Sequence, residues 1–429
     1  MREWAAEALP GEVVTALRRA FHFAERLFVR IVLIAGLALV AAGIAALVGP
    51  FIPDRFHDLV GAEAVDDILA IIASSMLAVT IFSLSVMTSL HRSVAGQWTP
   101  RAHRLIARDR TTVGVLATFV GAWLFALTAI ILRSAAIING GDLVVLFGMT
   151  LLVVTMIVVS LVRWVGHLET LGSLEQVGAR LEAEARETLE ARLAEPFLGG
   201  HPLTGDVAIP ADAAEIRARE SGFVRHVYED ALEEIGRENG TGIYVLVPPG
   251  RFVFRGEVIA QARVGSLEVA EAIGRNITVG ALRSYDQDPR FGVIVLAEVA
   301  SKALSPGVND PGTAIDVIGR LARVMDCWRE ERSVLVRRPH LWVPPLRAAD
   351  LVEDFAAPIA RDGAGSVEVM IHLRRMLAAL ARSEDLSMRA AAEAAGRMAM
   401  ERAEAALEPA DLERLRAAAP GWMPLSAPG

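Results

Sequence analysis

Four unbroken apolar runs, Leu27 to Gly49, Ile68 to Leu90, Thr112 to Leu132 and Leu143 to Val162, dominate the first 162 residues. Each is about 20 residues long, the helical length that crosses a hydrocarbon core of roughly 30 Å. The pattern predicts a membrane bundle of four spanning helices over residues 27–162. The first run reads as a retained anchor, because Pro50 and Pro53 end it and no small-residue cleavage site follows. Ahead of it, Val13, Leu17, Phe21 and Phe28 recur against Arg18, Arg19 and Arg26, so residues 1–26 read as a cytoplasmic amphipathic segment at the membrane surface or as a plain cytoplasmic extension of the first span.

Beyond residue 162 the texture changes twice. No proline interrupts Leu143 to Glu195, and Leu168, Leu171, Leu174, Leu181, Ala185 and Leu189 recur at helical spacing through charged sequence. A stalk helix and linker over residues 163–200 follow from that. Residues 201–264 alternate apolar and polar positions in short runs around one helix near Tyr228 to Asn239, which predicts a small β-rich module. Its expected strands are Val207 to Ile209, Gly222 to Val227, Ile243 to Val247, Phe252 to Phe254 and Glu257 to Ala262. Residues 265–429 return to helical periodicity, with helices over Arg290 to Leu304, Ala348 to Ala360, Ser366 to Arg382 and Ser387 to Leu407, and a strand pair around Pro339 to Pro345. The fold class is thus an α-helical four-span membrane bundle followed by an α+β region with a β-rich and a helical module.

Charge orients the bundle. The loop after the first run carries Asp54, Asp58, Glu63, Asp66 and Asp67, whereas the loop after the second carries Arg92, Arg101, Arg104, Arg108 and Arg110. The positive-inside rule places that second loop, both termini and the large C-terminal region in the cytoplasm of a bacterial inner membrane. The chain is 53% hydrophobic with a formal net charge of −8, which argues against a nucleic-acid binder. Its single cysteine, Cys327, excludes an intramolecular disulfide and multi-cysteine metal sites, and its single lysine, Lys302, leaves little room for lysine-tethered cofactors.

Candidate chemistry is sparse. The second run carries Ser74, Ser75, Thr80, Ser83, Ser85, Thr88 and Ser89, and Ser74, Ala78, Ser85 and Ser89 fall near one helical face. That face reads either as the lining of a polar pathway or as close helix packing with hydroxyls bonded to backbone carbonyls. Gly114, Gly121 and Gly148 read as close-packing positions. The basic loop Arg92 to Arg110 would form the cytoplasmic mouth of such a pathway and favour anions. The dense turn Ser305-Pro306-Gly307-Val308-Asn309-Asp310-Pro311-Gly312-Thr313 reads as a tight helix cap at Asn309 or Asp310 with Pro311 at the first helical position. Free N–H groups there could instead hold an anion, with Arg283 or Lys302 as charge partners. Asp286, Asp288 and Glu298 would serve as a carboxylate or metal cluster only if they converge, and a cap at Asp288-Pro289 is the simpler reading. No P-loop, GxSxG elbow, HExxH or dinucleotide fingerprint is present and the histidines are scattered singly, so neither catalysis, nor a bound metal, nor a cofactor is expected.

Two resemblances add to this. The Ser221-Gly222-Phe223-Val224 and Pro249-Gly250-Arg251-Phe252-Val253 spacing resembles barrel-sandwich modules of the biotinyl and lipoyl type, but no lysine lies there to carry a cofactor. Gln97-Trp98-Thr99-Pro100-Arg101, Tyr285-Asp286-Gln287-Asp288-Pro289-Arg290-Phe291-Gly292 and Ala303-Leu304-Ser305-Pro306-Gly307-Val308-Asn309-Asp310-Pro311 resemble the bacterial membrane proteins of domain-of-unknown-function family 2254 over nearly the whole chain. That likeness brings no catalytic assignment. The residues therefore lead to an expected homo-oligomeric channel-like or transport protein in the lipid bilayer, with its cytoplasmic part as assembly or gating domain. A non-transporting scaffold or sensor that binds a small anion or a protein partner is the alternative.

Overall fold

The computed structural model describes residues 27–48, 62–97, 99–102, 110–135, 137, 142–170, 174–329 and 335–418. The chain divides into two compact units, residues 1–97 with 106–173, and residues 98–105 with 174–429. The predicted amphipathic segment at residues 1–26 lies outside the described residues, as do the side chains of Arg92, Arg104, Arg108 and Arg110.

The first unit is built from α1 (Leu27–Val48), α2 (Ala62–Gln97), α3 (Arg110–Ser134) and α4 (Asp142–Thr170). Glu63–Ser89, Thr111–Ser134 and Leu143–Leu168 are long and apolar enough to cross a membrane, and α1 contributes a shorter apolar stretch, Val29–Ala45. Helix α3 is central: half of its apolar window is buried, against 22% for α2 and α4. Phe119, Phe125, Ala122 and Ala126 face the interior, while Ile71, Phe82, Ile131 and Val162 stand exposed. In a soluble domain such faces would be costly; in lipid they are solvated. Small residues set the spacing. A Cβ on Gly121 would lie 2.7 Å from Cβ of Ile34, which α1 presses against α3. Gly114 is similarly covered by Arg30, whereas Gly148 has open space around it and, contrary to the sequence expectation, mediates no close contact.

The second unit joins two sheets to a helical layer. A five-stranded sheet runs β1 (His201–Pro202), β8 (Leu341–Val343), β4 (Ile243–Val245), β6 (Val258–Ala262), β2 (Ala214–Arg217), and a three-stranded sheet runs β5 (Phe252–Val253), β3 (Gly222–Val227), β7 (Ile277–Gly280). Between strands lie α6 (Glu229–Asn239) and α7 (Leu267–Arg275). The alternation expected from the sequence holds for β3 to β6. Val207 to Ile209 is not a strand, and Ala214–Arg217 pairs with β6 in its place. The expected strand pair around Pro339 to Pro345 is one strand, β8, lying parallel to both β1 and β4. Pro344 and Pro345 lack the N–H a returning strand needs. The β module therefore closes only with β7 and β8, which lie outside residues 201–264. Its core gathers Val224, Val227, Leu232, Ile243, Ile259, Ile277 and Leu341.

The helical layer comprises α5 (Leu174–Ala194), α8 (Pro289–Ala303), α9 (Pro311–Met325), α10 (Ala348–Asp362), α11 (Val367–Leu380), α12 (Leu386–Ala406) and α13 (Pro409–Ala417). The expected stalk is here a packed element: Leu181, Ala185 and Leu189 of α5 are fully buried. The reason is a close crossing, since a Cβ on Gly292 of α8 would sit 2.4 Å from that of Ala185. Helix α8 is the core of the layer, burying Phe291, Val293, Val295, Leu296 and Val299.

Candidate functional site

The run Tyr285 to Gly292 folds into one polar hub at the start of α8. Gln287 acts as a surrogate strand neighbour: its side-chain oxygen accepts from Val227 N (2.8 Å), and its amide donates to Val227 O (3.1 Å) and to Glu229 (3.0 Å). Asp288 caps α8 by accepting from Arg290 N (3.2 Å), with Pro289 at the first helical position. Its carboxylate also accepts from Nε and Nη2 of Arg283. Asp288 is 1% exposed, and burial pushes its carboxyl up despite the Arg283 guanidinium beside it.

Gly250 makes this arrangement fit. It sits at φ +88°, and a Cβ there would come within 2.0 Å of Asp288 Oδ2. Only glycine combines that backbone conformation with that approach. Tyr285 packs on Phe291 with centroids 4.5 Å apart, and the Arg283 guanidinium lies 5.3 Å over the same ring. From the far side of Asp288, Arg290 reaches α10, donating Nε and Nη2 to Asp354 at 2.7 and 2.9 Å with Nη1 3.4 Å from Asp350. Burial also raises the Asp354 carboxyl, opposed by Arg290.

Two cavities flank this pair. One, of about 280 Å³, opens among Pro248 to Arg251, Arg283, Gln287 to Arg290, Pro344 to Leu346, Arg192 and Asp350. The other, of about 470 Å³, lies between α8, α10 and residues 99–101, with Asp354, Glu298 and Arg101 on its wall. Arg101 is ion-paired with Glu298. Beside it Ala102 is fully buried, and its N–H donates to the Thr99 hydroxyl. Residues 99–102, which lie in sequence between α2 and α3, are thus part of the C-terminal unit.

The other sequence candidates distribute as follows. Asp310 caps α9, accepting from Thr313 N (3.0 Å) and Thr313 Oγ1 (2.5 Å), and these bonds hold its carboxyl below the usual carboxylate range. Asn309 adopts φ 51°, and Ser305 accepts at its carbonyl from Val308 and Asn309 N while its hydroxyl donates to Lys302 O. A carboxylate of the chain itself thus occupies this helix start, and Arg283 serves Asp288. Asp286 bonds Ser284, Asp288 bonds Arg283 and Glu298 bonds Arg101, so the three acids do not converge, and among the described residues no three His, Cys, Asp or Glu side chains form a metal-binding group. On α2, Ser74, Ala78, Ser85 and Ser89 lie on the exposed face, and Ser74 and Ser85 donate to carbonyls one turn back. The stripe thus faces away from the packed interior of a single chain, which holds Val65, Leu69, Ile72 and Met76. Sequence reasoning missed Gly250, Gln287, Asp354 and the Arg101–Glu298 pair. The Pro249-Gly250 dipeptide signalled a turn, but its contact with Asp288 is made across 38 residues.

The profile of a family described as "Predicted membrane protein (DUF2254)" matches residues 24–379. Uncharacterized proteins of Mycobacterium bovis and Mycobacterium tuberculosis are each 28% identical over 192 residues, covering 41% of this chain and 36% of theirs. The alignment spans about a third of those relatives' length. No solved structure matches the chain.

Proposed function

The chain belongs to the DUF2254 family of predicted membrane proteins, and on that premise we propose that its C-terminal unit gates the membrane helices of an oligomeric, channel-like inner-membrane protein. In this reading α1 to α4 all cross the bilayer, both termini and residues 174–429 lie in the cytoplasm, and no catalysis is assigned. The observation that carries the proposal is the inclusion of residues 98–105 in the C-terminal unit. Residues 99–102 lie in the connection from α2 to α3, so in this reading a rearrangement of α8 or α10 is felt at that connection. The same inclusion supports the topology. A loop folded into the C-terminal unit lies on its side of the membrane, so α3 and α4 between them cross an even number of times. The ion pair of Asp66 at the start of α2 with Arg133 at the end of α3 fits an antiparallel pair of spans. The outward hydroxyl face of α2 supports a pathway between copies, because it is not consumed by packing within one chain.

One observation favours the alternative of a non-transporting sensor. Ser74 and Ser85 of that face bond back to their own helix, as hydroxyls do in lipid-facing helices. Ion flux into liposomes loaded with the purified full chain separates the two. A gated channel predicts anion flux that Glu298→Gln changes by several-fold and Ser85→Leu suppresses. Absence of flux under all conditions would leave the sensor reading in place.

A further inference from the structure

We infer that the 280 Å³ cleft beside Asp288 is a binding site for a small organic anion with an apolar body, carrying a phosphate or carboxylate head. Much of the lining is apolar and rigid: Pro248, Pro249, Pro289, Pro344, Pro345 and Leu346 all border the cleft. Rings and short chains pack on such walls with little ordering cost, since proline has no rotamer freedom to lose.

The polar content of the cleft is lopsided in what it offers. Of its two carboxylates, Asp288 is committed to Arg283 and to the α8 cap, and Asp350 lies 3.4 Å from Arg290. Its guanidiniums, from Arg192, Arg251, Arg283 and Arg290, carry five N–H donors each. Among the described contacts, Arg283 commits Nε and Nη2 to Asp288, and Arg251 commits only Nη2, to Glu257 at 3.2 Å. Donors of Arg251 and Arg283 therefore remain among the described contacts, and four guanidiniums against two carboxylates give the lining a positive balance, so the complementary ligand is an acceptor-rich anion. A planar guanidinium fork favours phosphate and carboxylate geometry.

Each wall is also fixed by an element already described. Gly250 and Asp288 lock the Pro248 loop to the start of α8, and Arg192 Nη2 donates to Pro344 O at 3.0 Å, holding the second proline pair. This is a preformed cavity rather than a surface patch. It shares Arg290 with the Asp354 pair, and Asp354 borders the second cavity together with Glu298 and residues 99–101. The binding inference does not depend on conduction.

The test is calorimetric titration of the detergent-solubilised full chain with phenyl phosphate, inorganic phosphate and benzyl alcohol, repeated in nanodiscs with and without phosphatidylglycerol. The expected result is saturable binding of phenyl phosphate, at least tenfold weaker inorganic phosphate, and no measurable binding of benzyl alcohol. Arg251→Gln, at the exposed mouth, should weaken phenyl phosphate by about tenfold, and Arg263→Gln, paired elsewhere with Asp212, should leave it unchanged. Competition by phosphatidylglycerol alone identifies a lipid headgroup as the source, and its absence identifies a free metabolite. No saturable binding of either phosphate probe, or equal affinity in wild type and in both Arg251→Gln and Arg192→Gln, would overturn the inference. Binding without any effect on flux would leave it standing and remove only the gating proposal.

Discussion

The two units solve the same problem, satisfying polar side chains away from water, in opposite ways. In the membrane unit many hydroxyls turn inward on their own helix: Ser74, Ser85, Thr88, Thr118 and Thr150 each donate to a carbonyl one turn earlier. In the C-terminal unit polar side chains reach across elements. Arg338 joins Glu195, Asp230 and Leu198 O; Glu182 of α5 receives both Arg320 and Arg323 of α9; Gln287 binds β3. A helix whose polar groups are satisfied locally can slide or rotate against lipid and neighbours at little cost. A unit held by long-range pairs moves as a body.

That contrast can be broken at points of decreasing cost. The largest effect is expected from Gly250→Val. It forces a β-branched residue to φ +88° and drives Asp288 from Arg283, costing roughly 3–5 kcal/mol. Thermal unfolding should lose the C-terminal transition while the helical signal of the membrane unit persists; a single shared loss would contradict the separation.

Next comes the α5–α8 crossing. Gly292→Ala should cost about 1–3 kcal/mol by overpacking against Ala185. Gly121→Ala should do the same against Ile34, and Gly148→Ala, with nothing within 4 Å, should be neutral. Denaturant midpoints for the three variants check the order.

Asp310→Ala removes the α9 cap and should cost about 1 kcal/mol. Because its folded carboxyl lies below the unfolded value of about 3.9, that stabilisation is complete above the unfolded value and lost as pH falls through the folded one. The difference between wild type and Asp310→Ala should therefore shrink on acidification, and a gap that widens would reverse the assignment. The smallest effect is expected from Ser85→Ala, under about 0.5 kcal/mol in an unfolding titration, since its hydroxyl serves only its own helix.

How far the residues announced this architecture follows the range of the interactions. Local signals were readable: the apolar runs, the caps at Asp288 and Asp310, Pro289 and Pro311 at first helical positions, and strands β3 to β6. What escaped was non-local. The β module needs β7 and β8 from beyond its apparent end, and nothing in Leu341 to Val343 says that its partners lie parallel at β1 and β4. The charged run after Arg163 has stalk periodicity, yet Ala185 and Gly292 together make α5 a core helix, a fact invisible in either segment alone. The site shows the same division. Arg283 stood out as an anion partner, but its carboxylate is Asp288 rather than an anion at the Ser305 to Thr313 turn, and Gly250 acquires meaning only beside Asp288. Arg101 read as one member of a basic mouth, and its pairing with Glu298 spans 197 residues.

The most direct measurement is hydrogen exchange of peptides covering residues 98–105 in the full chain, comparing wild type with Glu298→Gln. The segment should be protected in wild type and exchange at least tenfold faster in the variant, while peptides from the centre of α3 around Phe119 and Phe125 stay unchanged. A segment that exchanges at the unprotected rate in wild type, or that ignores the loss of the Glu298 charge, would contradict its place in the C-terminal unit and the coupling built on it.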